Sequence, residues 1–509
     1  MKLYTAEEMS RADRNAQRLG IPGGVLMERA GVAMAKELAA RYPPPRLQGR
    51  SVLVVAGGGN NGGDGFVIAR ELRRVGAGVA VVATKDEYSG DAEINLDVLR
   101  NLGVEVYSPE DLDGLLDDAA LVVDALLGTG FSGEVREREA GLIRALNHSG
   151  ATIVSVDLPS GVNGTTGEVA GEAVRAELTL CAHAAKVGCV VSPGREYAGE
   201  VVVVEIGLPE EAEDFRPEVE LAGRASLRGL VPRTAGASHK YSAGALMVVA
   251  GSRAMTGASV MVVGGAERAG CGIVFLAVPK STAPALDLRL TETLVYGVAE
   301  DNRGHTTAGA LEEILNVAER ASAVVAGPGL GVGAGQRELI EGLLREVGVP
   351  LLLDADAITN LAGTQAISER SAPTVITPHA GELGRLLESG AKEVEAHRLH
   401  SARRAADKNG CTVLLKGADT LVADPGRQTS VNSTGSVALA TGGTGDVLSG
   451  VIGALLSRGM EPREAARCGA WAHGRAAELW LRVTGWPPES LVATDLLPFI
   501  PKAMAELSA

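Results

Sequence analysis

At 509 residues the chain is too long for one hydrophobic core, so two or three domains are expected. Hydrophobic residues make up 46% against 22% charged, a globular balance, while 3% aromatic content leaves few side chains for stacking on bases. The net charge of −15 excludes a broad basic footprint for nucleic acid or an anionic membrane, so any phosphate site must be local.

Residues 5–41 read as helices: Thr5 and Glu8 have capping-box spacing, and Val25, Leu26, Ala30, Ala33 and Met34 recur at helical intervals. Pro43, Pro44 and Pro45 end this arm. Its apolar face suits either its own sheet or a neighbouring copy, and a homo-oligomer is expected. Short apolar strands then alternate with helices, at Ser51 to Ala56, Val79 to Ala83, Leu121 to Val123 and Thr152 to Val156. This is the pattern of a doubly wound α/β sheet, which binds ligands beyond the carboxyl ends of its strands. Five cysteines without a CxxC pair argue against disulfides or zinc. The polar N-terminus and the lack of a long apolar run place the chain in the cytoplasm, with no membrane partner.

Three motifs stand at strand ends. GGGNNGGDG, Gly57 to Gly65, reads as a loop that bares backbone to a ligand and opens into a helix. Asp124 and then Gly128, Thr129, Gly130, Phe131, Ser132, Gly133 and Glu134 follow the strand at Leu121. Asp157 and Ser160 end the strand from Thr152. Asn61, Asp124 and Ser160 together would make an oxygen-only shell suited to a hard cation, although each alone is an ordinary turn residue.

After a strand at Val201 to Ile206 and a polar stretch, a domain boundary falls at residue 216, dividing 1–216 from 217–509. The second half repeats the grammar, with strands running into Gly327 to Gly331, Asp354 to Asp356, Thr377 to Glu382 and Lys416 to Thr420. It culminates in ATGGTGDVLSG, Ala440 to Gly450, where glycines let backbone N–H groups close on a phosphate at the start of a helix. Asp446 there would be repelled by an anion, so its presence points to work as a base.

A buried strand, Lys416-Gly417, a return hairpin, then GTGD and a helix is the order of the ribokinase-like superfamily. Within it, GPGLG, DADA, TPHAGE, KGADT and GGTGDVLSG resemble the ADP- or ATP-dependent NAD(P)H-hydrate dehydratases. GGGNNGGDG, DALLGTGFSGE and VDLPSGVNG are similar to the NAD(P)H-hydrate epimerases, so the chain resembles the bifunctional nicotinamide nucleotide repair enzymes nearly end to end.

The resemblance implies a Rossmann-like epimerase domain followed by a ribokinase-like dehydratase domain. Asp446 would take the hydroxyl proton of the hydrate as oxygen attacks the terminal phosphate of ADP, the favoured donor, or ATP. Lys416, Gly417, Ala418, Asp419, Thr420 and Gly445 would bind the nucleotide with Mg²⁺ bridging its phosphates. Ala245, Gly329, His379 and Asp446 would line the hydrate pocket. In the first domain K⁺ would sit on Asn61, Asp124 and Ser160. Asn60, Asn61, Gly62, Gly63, Asp64, the Gly128 to Glu134 run and Asp157 would hold hydrated NADH or NADPH. Asp157 is the proton-transfer candidate there, with Lys186 second. Asn163 and Thr165 depart from the acidic residues often found in relatives. Asp354 and Asp356 read as helix caps outside the catalytic set. Rival readings are a small-molecule kinase of the same superfamily and a non-catalytic nucleotide sensor.

Overall fold

The computed structural model describes residues 2–42, 51–232, 241 and 243–508. The three prolines expected to end the N-terminal arm, and residues 233–240 and 242 ahead of the second half's first strand, lie outside the described residues. The chain divides into two compact units, Met1–Glu220 and Leu221–Ala509.

The first unit is built on a seven-stranded, all-parallel sheet. Its order is Glu105–Tyr107, Gly78–Ala83, Ser51–Ala56, Ala119–Ala125, Thr152–Val156, Leu178–Ala182 and Glu200–Val204. The strand Ser51–Ala56 shows why it is central. Val52, Val54 and Ala56 enter one core with Leu26, Met34, Leu38, Phe66 and Leu72, whereas Leu53 and Val55 enter another with Ile143 and Leu146. Side chains alternate across a strand, so an unbroken apolar run needs helices on both faces.

Thr5 caps the helix Ala6–Arg18 as the spacing predicts, with Glu8 N donating to Thr5 Oγ1 at 3.2 Å and Thr5 N to Glu8 Oε2 at 2.8 Å. The next helix, Gly23–Arg41, buries Leu26, Met34 and Leu38 on the unit's own sheet. That use of the apolar face removes it as an argument for self-association. The Gly57 to Gly65 motif also differs from its reading as a loop. The helix Asn60–Arg74 begins directly after Gly59, so Asn60, Asn61 and Asp64 project from its first turns.

The second unit's sheet has ten strands with Val219–Ala222 at one edge. It continues Thr429–Asn432, Leu421–Ala423, Thr412–Leu415, Thr374–Ile376, Leu351–Leu353, Ala323–Ala326, Ala245–Val249, Ile273–Pro279 and Leu294–Val298. Only the return hairpin Leu421–Ala423 and its neighbours pair antiparallel among the registered strands. Against the sheet lie the helices Thr256–Arg268 and Thr444–Ser457. A Cβ on Gly450 would stand 2.0 Å from Val262 O, and one on Gly265 would stand 2.3 Å from Val447 O, so these helices touch backbone to backbone. Glycine at both positions is a steric requirement, and it fixes the helix that carries Asp446. No helix among the described residues is long and apolar enough to cross a membrane.

Candidate active sites

In the first unit a cavity of about 1100 Å³ opens at the carboxyl ends of the strands. Asn60, Asn61, Asp64, Gly128, Thr129, Gly130, Phe131, Ser132, Glu134 and Asp157 line it together with Lys186. Gly62, Gly63 and Gly133 do not. Gly63 faces the helix Gly23–Arg41 instead, where a Cβ would come within 2.5 Å of Met27 Cε.

Asp157 leaves its strand in the left-handed region at φ 66°. Its Oδ1 accepts from Lys186 Nζ at 2.5 Å and from Ala182 N at 3.1 Å. Lys186 is fully buried and also donates to Ala182 O and Ala184 O. Burial pushes its ammonium down, but Asp157 and the neighbouring Cys181 and Cys189 outweigh this and raise it, so it stays charged. Asn163, one of the departures noted in the sequence, ties a turn by accepting from Thr165 N and Thr166 N.

The three residues expected to hold a cation converge around Leu127. Asp124 is fully buried and accepts from Ser160 Oγ at 2.5 Å, Ser160 N at 2.9 Å, Ser155 Oγ at 2.8 Å and Leu126 N at 3.3 Å. Asn61 Nδ2 donates to Leu127 O at 3.2 Å, and Leu127 N donates to Ser160 Oγ at 2.8 Å. Burial raises the Asp124 carboxyl more than these hydrogen bonds lower it.

Sequence reasoning missed one wall of this cavity. The helix Ala6–Arg18 turns Ser10, Asp13, Arg14 and Gln17 toward it. Their i, i+3, i+4, i+7 spacing is a polar stripe that was there to be read.

In the second unit Gly443, at φ 89°, caps the helix Thr444–Ser457 and places Asp446 in its first turn. Burial, Asp354 and Asp356 raise the Asp446 carboxyl to about 7 against the opposing pull of Lys416. Lys416 Nζ lies 2.8 Å from Asp354 Oδ1 and 3.8 Å from Glu382 Oε2, and a Cβ on Gly445 would lie 3.6 Å from it. Asp354 is 1% exposed and also accepts from Ser449 Oγ at 2.7 Å, from the same helix as Asp446. It is therefore part of the site and not merely a helix cap. Asp356 Oδ2 accepts from Gly331 N at 2.8 Å and so holds the GPGLG turn.

Other expected residues have narrower roles. The Asp419 carboxylate is buried against Arg398, with Nε at 2.9 Å from Oδ1, and a Cβ on Gly417 would collide with the same guanidinium. Thr420 Oγ1 bonds back to Gly417 O at 3.0 Å. The Lys416 to Thr420 turn thus offers a ligand its backbone and Lys416 rather than Asp419. His379 caps the helix Ala380–Leu386, its Nδ1 accepting from Gly381 N at 2.9 Å, and its side chain is 56% exposed. Gly329, at φ 66°, packs against Met255 and Ala258. Ala245 is not brought to this group: it opens its strand at the amino end, 2% exposed, whereas the site gathers at the carboxyl ends.

A strand–lysine–hairpin–glycine-capped-helix unit of this kind defines a ribokinase-like α/β domain. Consistently, the unit matches the crystal structure of the ADP/ATP-dependent NAD(P)H-hydrate dehydratase from Bacillus subtilis, co-crystallised with ATP/Mg²⁺. That match has 26% identity and a TM-score of 0.50 over 57% of this chain and 99% of that one. The family model for NAD(P)H-hydrate dehydratase matches residues 246–502, and that for the YjeF-related protein N-terminus matches 23–188. Among whole-length relatives, the bifunctional NAD(P)H-hydrate repair enzyme of Thermofilum pendens is 38% identical over 100% of this chain and 97% of its own length. That of Moorella thermoacetica is 36% identical with the same coverage. The chain belongs to the family of bifunctional NAD(P)H-hydrate repair enzymes.

Proposed function

We propose that residues 1–216 epimerise hydrated NADH and NADPH and that residues 217–509 dehydrate the S hydrate at the expense of an adenine nucleotide. The observation that carries this is the placement of Asp446 in the first turn of a glycine-capped helix beside Lys416 and Asp354, in a chain matched along its whole length by these repair enzymes. A carboxyl raised to about 7 exchanges protons near neutral pH, which suits a base.

The hydrate carries a hydroxyl on the carbon next to the ring nitrogen, and hydroxide leaves poorly. Asp446 takes the hydroxyl proton while oxygen attacks the terminal phosphorus of the nucleotide, and the helix N-terminus at Gly443 to Gly445 meets the developing charge. Phosphate then departs, driven by the nitrogen lone pair, and loss of a ring proton restores NADH or NADPH. We take ADP as donor, giving AMP and phosphate. His379 and Gly329 contact the hydrate, and Lys416, the backbone of Gly417 to Thr420 and Gly445 contact the nucleotide. Asp354 is occupied by Lys416 and Ser449, and no group of three metal-binding His, Cys, Asp or Glu side chains lies among the described residues. Mg²⁺ therefore fits chiefly on nucleotide phosphates and water, its usual preference, where it would neutralise phosphate charge.

K⁺ fits the first unit on charge grounds. Asp124 is a buried carboxylate surrounded by neutral donors, with no ion pair among the described residues. A hard cation held by Asp124, Ser160 and Asn61 would balance it and tie the motif helix to two strand-end loops. All five cysteines are free, which fits a reducing compartment such as the cytoplasm.

The test mixes protein with hydrated NADH of both epimers, Mg²⁺, K⁺ and either ADP or ATP, and follows the NADH absorbance. Recovery that requires nucleotide supports the dehydratase reading and identifies the donor. No recovery with either nucleotide returns the second unit to the kinase or sensor readings.

A further inference from the structure

The epimerase cavity holds more acid than the Asp157–Lys186 pair accounts for. Asp13, from the helix Ala6–Arg18, and Asp64, from the helix Asn60–Arg74, line the same cavity as that pair. Lys186 is committed to Asp157 at 2.5 Å and to two backbone carbonyls. Neither Asp13 nor Asp64 has a side-chain hydrogen bond or ion pair among the described residues. Asp13 lies outside the stretch covered by the epimerase family model, which begins at residue 23.

Inversion at the hydroxyl-bearing carbon has a specific demand. One group must protonate the departing hydroxyl and another must accept a proton from the water that adds to the opposite face. Because both epimers are substrates, the two groups exchange roles between directions. Two unpaired carboxyls on separate helices supply that, whereas a carboxylate fixed on a lysine does not.

We propose that Asp13 and Asp64 are the acid–base pair of the epimerase reaction, with Asp157 and Lys186 positioning the substrate. The inference rests on the epimerase reading above. One carboxyl gives its proton to the hydroxyl as the C–O bond breaks, and the ring nitrogen lone pair forms the C=N bond of a cationic ring. The water released leaves the face it came from, and a solvent water adds to the other face, its oxygen forming the new C–O bond and its proton passing to the second carboxylate. Atoms and charge balance, and the proton has moved from one carboxyl to the other.

The electrostatics agree. Burial, with Asp157 adding to it, raises Asp13 to about 6 against Lys186, His183 and Arg14. Burial raises Asp64 well above the carboxylate range, Asp157 and Asp13 adding to it against Lys186. Two carboxyls harder to ionise than ordinary ones can share the single proton that the reaction needs.

The experiment uses the full chain without nucleotide and follows purified R hydrate of NADPH becoming S hydrate by chromatography, in wild type, Asp13→Asn, Asp64→Asn and the two Glu variants. Each Asn variant should lose about a hundredfold or more in kcat in both directions with little change in KM, and each Glu variant should recover part of it. Dehydration of the S hydrate and the thermal midpoint report whether the preparation is folded. If Asp64→Asn does not fold, Asp13→Asn, at a half-buried position, carries the test. In water enriched in oxygen-18, wild type should place the label in the new epimer. Epimerisation by both Asn variants within threefold of wild type, or an epimer without label, overturns the proposal. Failure of wild type itself to epimerise overturns the epimerase reading instead.

Discussion

Lys416 and Asp354 stand 2.8 Å apart although 62 residues separate them, one after the strand Thr412–Leu415 and the other after Leu351–Leu353. The carboxylate holds the ammonium that a nucleotide phosphate would otherwise meet unsupported, and both groups act electrostatically on Asp446 in opposite senses. Asp354 raises the base and Lys416 lowers it. Burial is the largest cause of the raised value, and the pair adjusts from there the pH at which the proposed base ionises.

Asp354→Asn should move that pH. Losing the carboxylate removes one cause of the raised value and leaves Lys416 to stabilise ionised Asp446. The rise of kcat/KM with pH for S-hydrate dehydration should shift to lower pH than in wild type, where the free Asp446 carboxyl is raised to about 7. A profile that stays in place or moves upward would contradict the coupling.

Lys416→Ala should act oppositely. Without the ammonium Asp446 is harder to ionise, so the profile moves upward, and a nucleotide bound as proposed loses a positive contact. Steady-state kinetics should show a higher KM for ADP together with the shifted profile.

Asp446→Asn removes the proposed base and should reduce dehydration by about 10²–10⁴-fold. Epimerisation should continue in the same preparation, so pure R hydrate would relax to a mixture of epimers with no NADPH formed. Chromatography of the hydrates beside the absorbance assay reads both.

Exchanging K⁺ for a bulky organic cation should slow epimerisation while S-hydrate dehydration is unaffected. Asp124→Asn should abolish the response to K⁺. Equal sensitivity of both reactions would show that the cation acts elsewhere.

His473 supplies a stability test. It is buried on the helix Pro462–Thr484, and burial lowers it from 6.5 to about 4. The unfolded chain takes up this proton first as pH falls, so the term costs stability from about 6.5 down to about 4 and nothing above. Between pH 7 and 4.5 the loss should be about 2–3 kcal/mol at 1.36 kcal/mol per unit. Denaturant unfolding should show a shallower pH dependence over that interval in His473→Leu.

Buried strands were legible where apolar runs end at glycine, proline or a polar turn. Ala323–Ala326, Leu351–Leu353, Thr374–Ile376 and Thr412–Leu415 end where the sequence places their ends, directly before Gly327, Asp354, Thr377 and Lys416. Glu105–Tyr107 was not, because a three-residue edge strand has a neighbour on one side only and little apolar signal. Asp446 was legible because its glycines explain it locally. Asp354 was not, since its meaning lies in Lys416 and Ser449, which only the sheet brings near. The polar stripe that carries Asp13 was legible as spacing, but not that it faces a cavity, because the other walls of that cavity stand on other elements. Asn60 to Asp64 looked like a loop because glycine is a poor helix former, and packing on the preceding helix overrides that preference.

The helix that carries Asp446 has only Gly445 and Asp446 outside its buried set from Thr444 to Ser457. A segment so enclosed has no route to fray or swing alone, and its amides should exchange with solvent only when the whole second unit opens. Adaptation to bound nucleotide then falls to the surrounding turns while Asp446 stays fixed. Heat should extinguish dehydration at the temperature where this unit melts and not before, so loss of turnover would itself serve as a thermometer for its global unfolding.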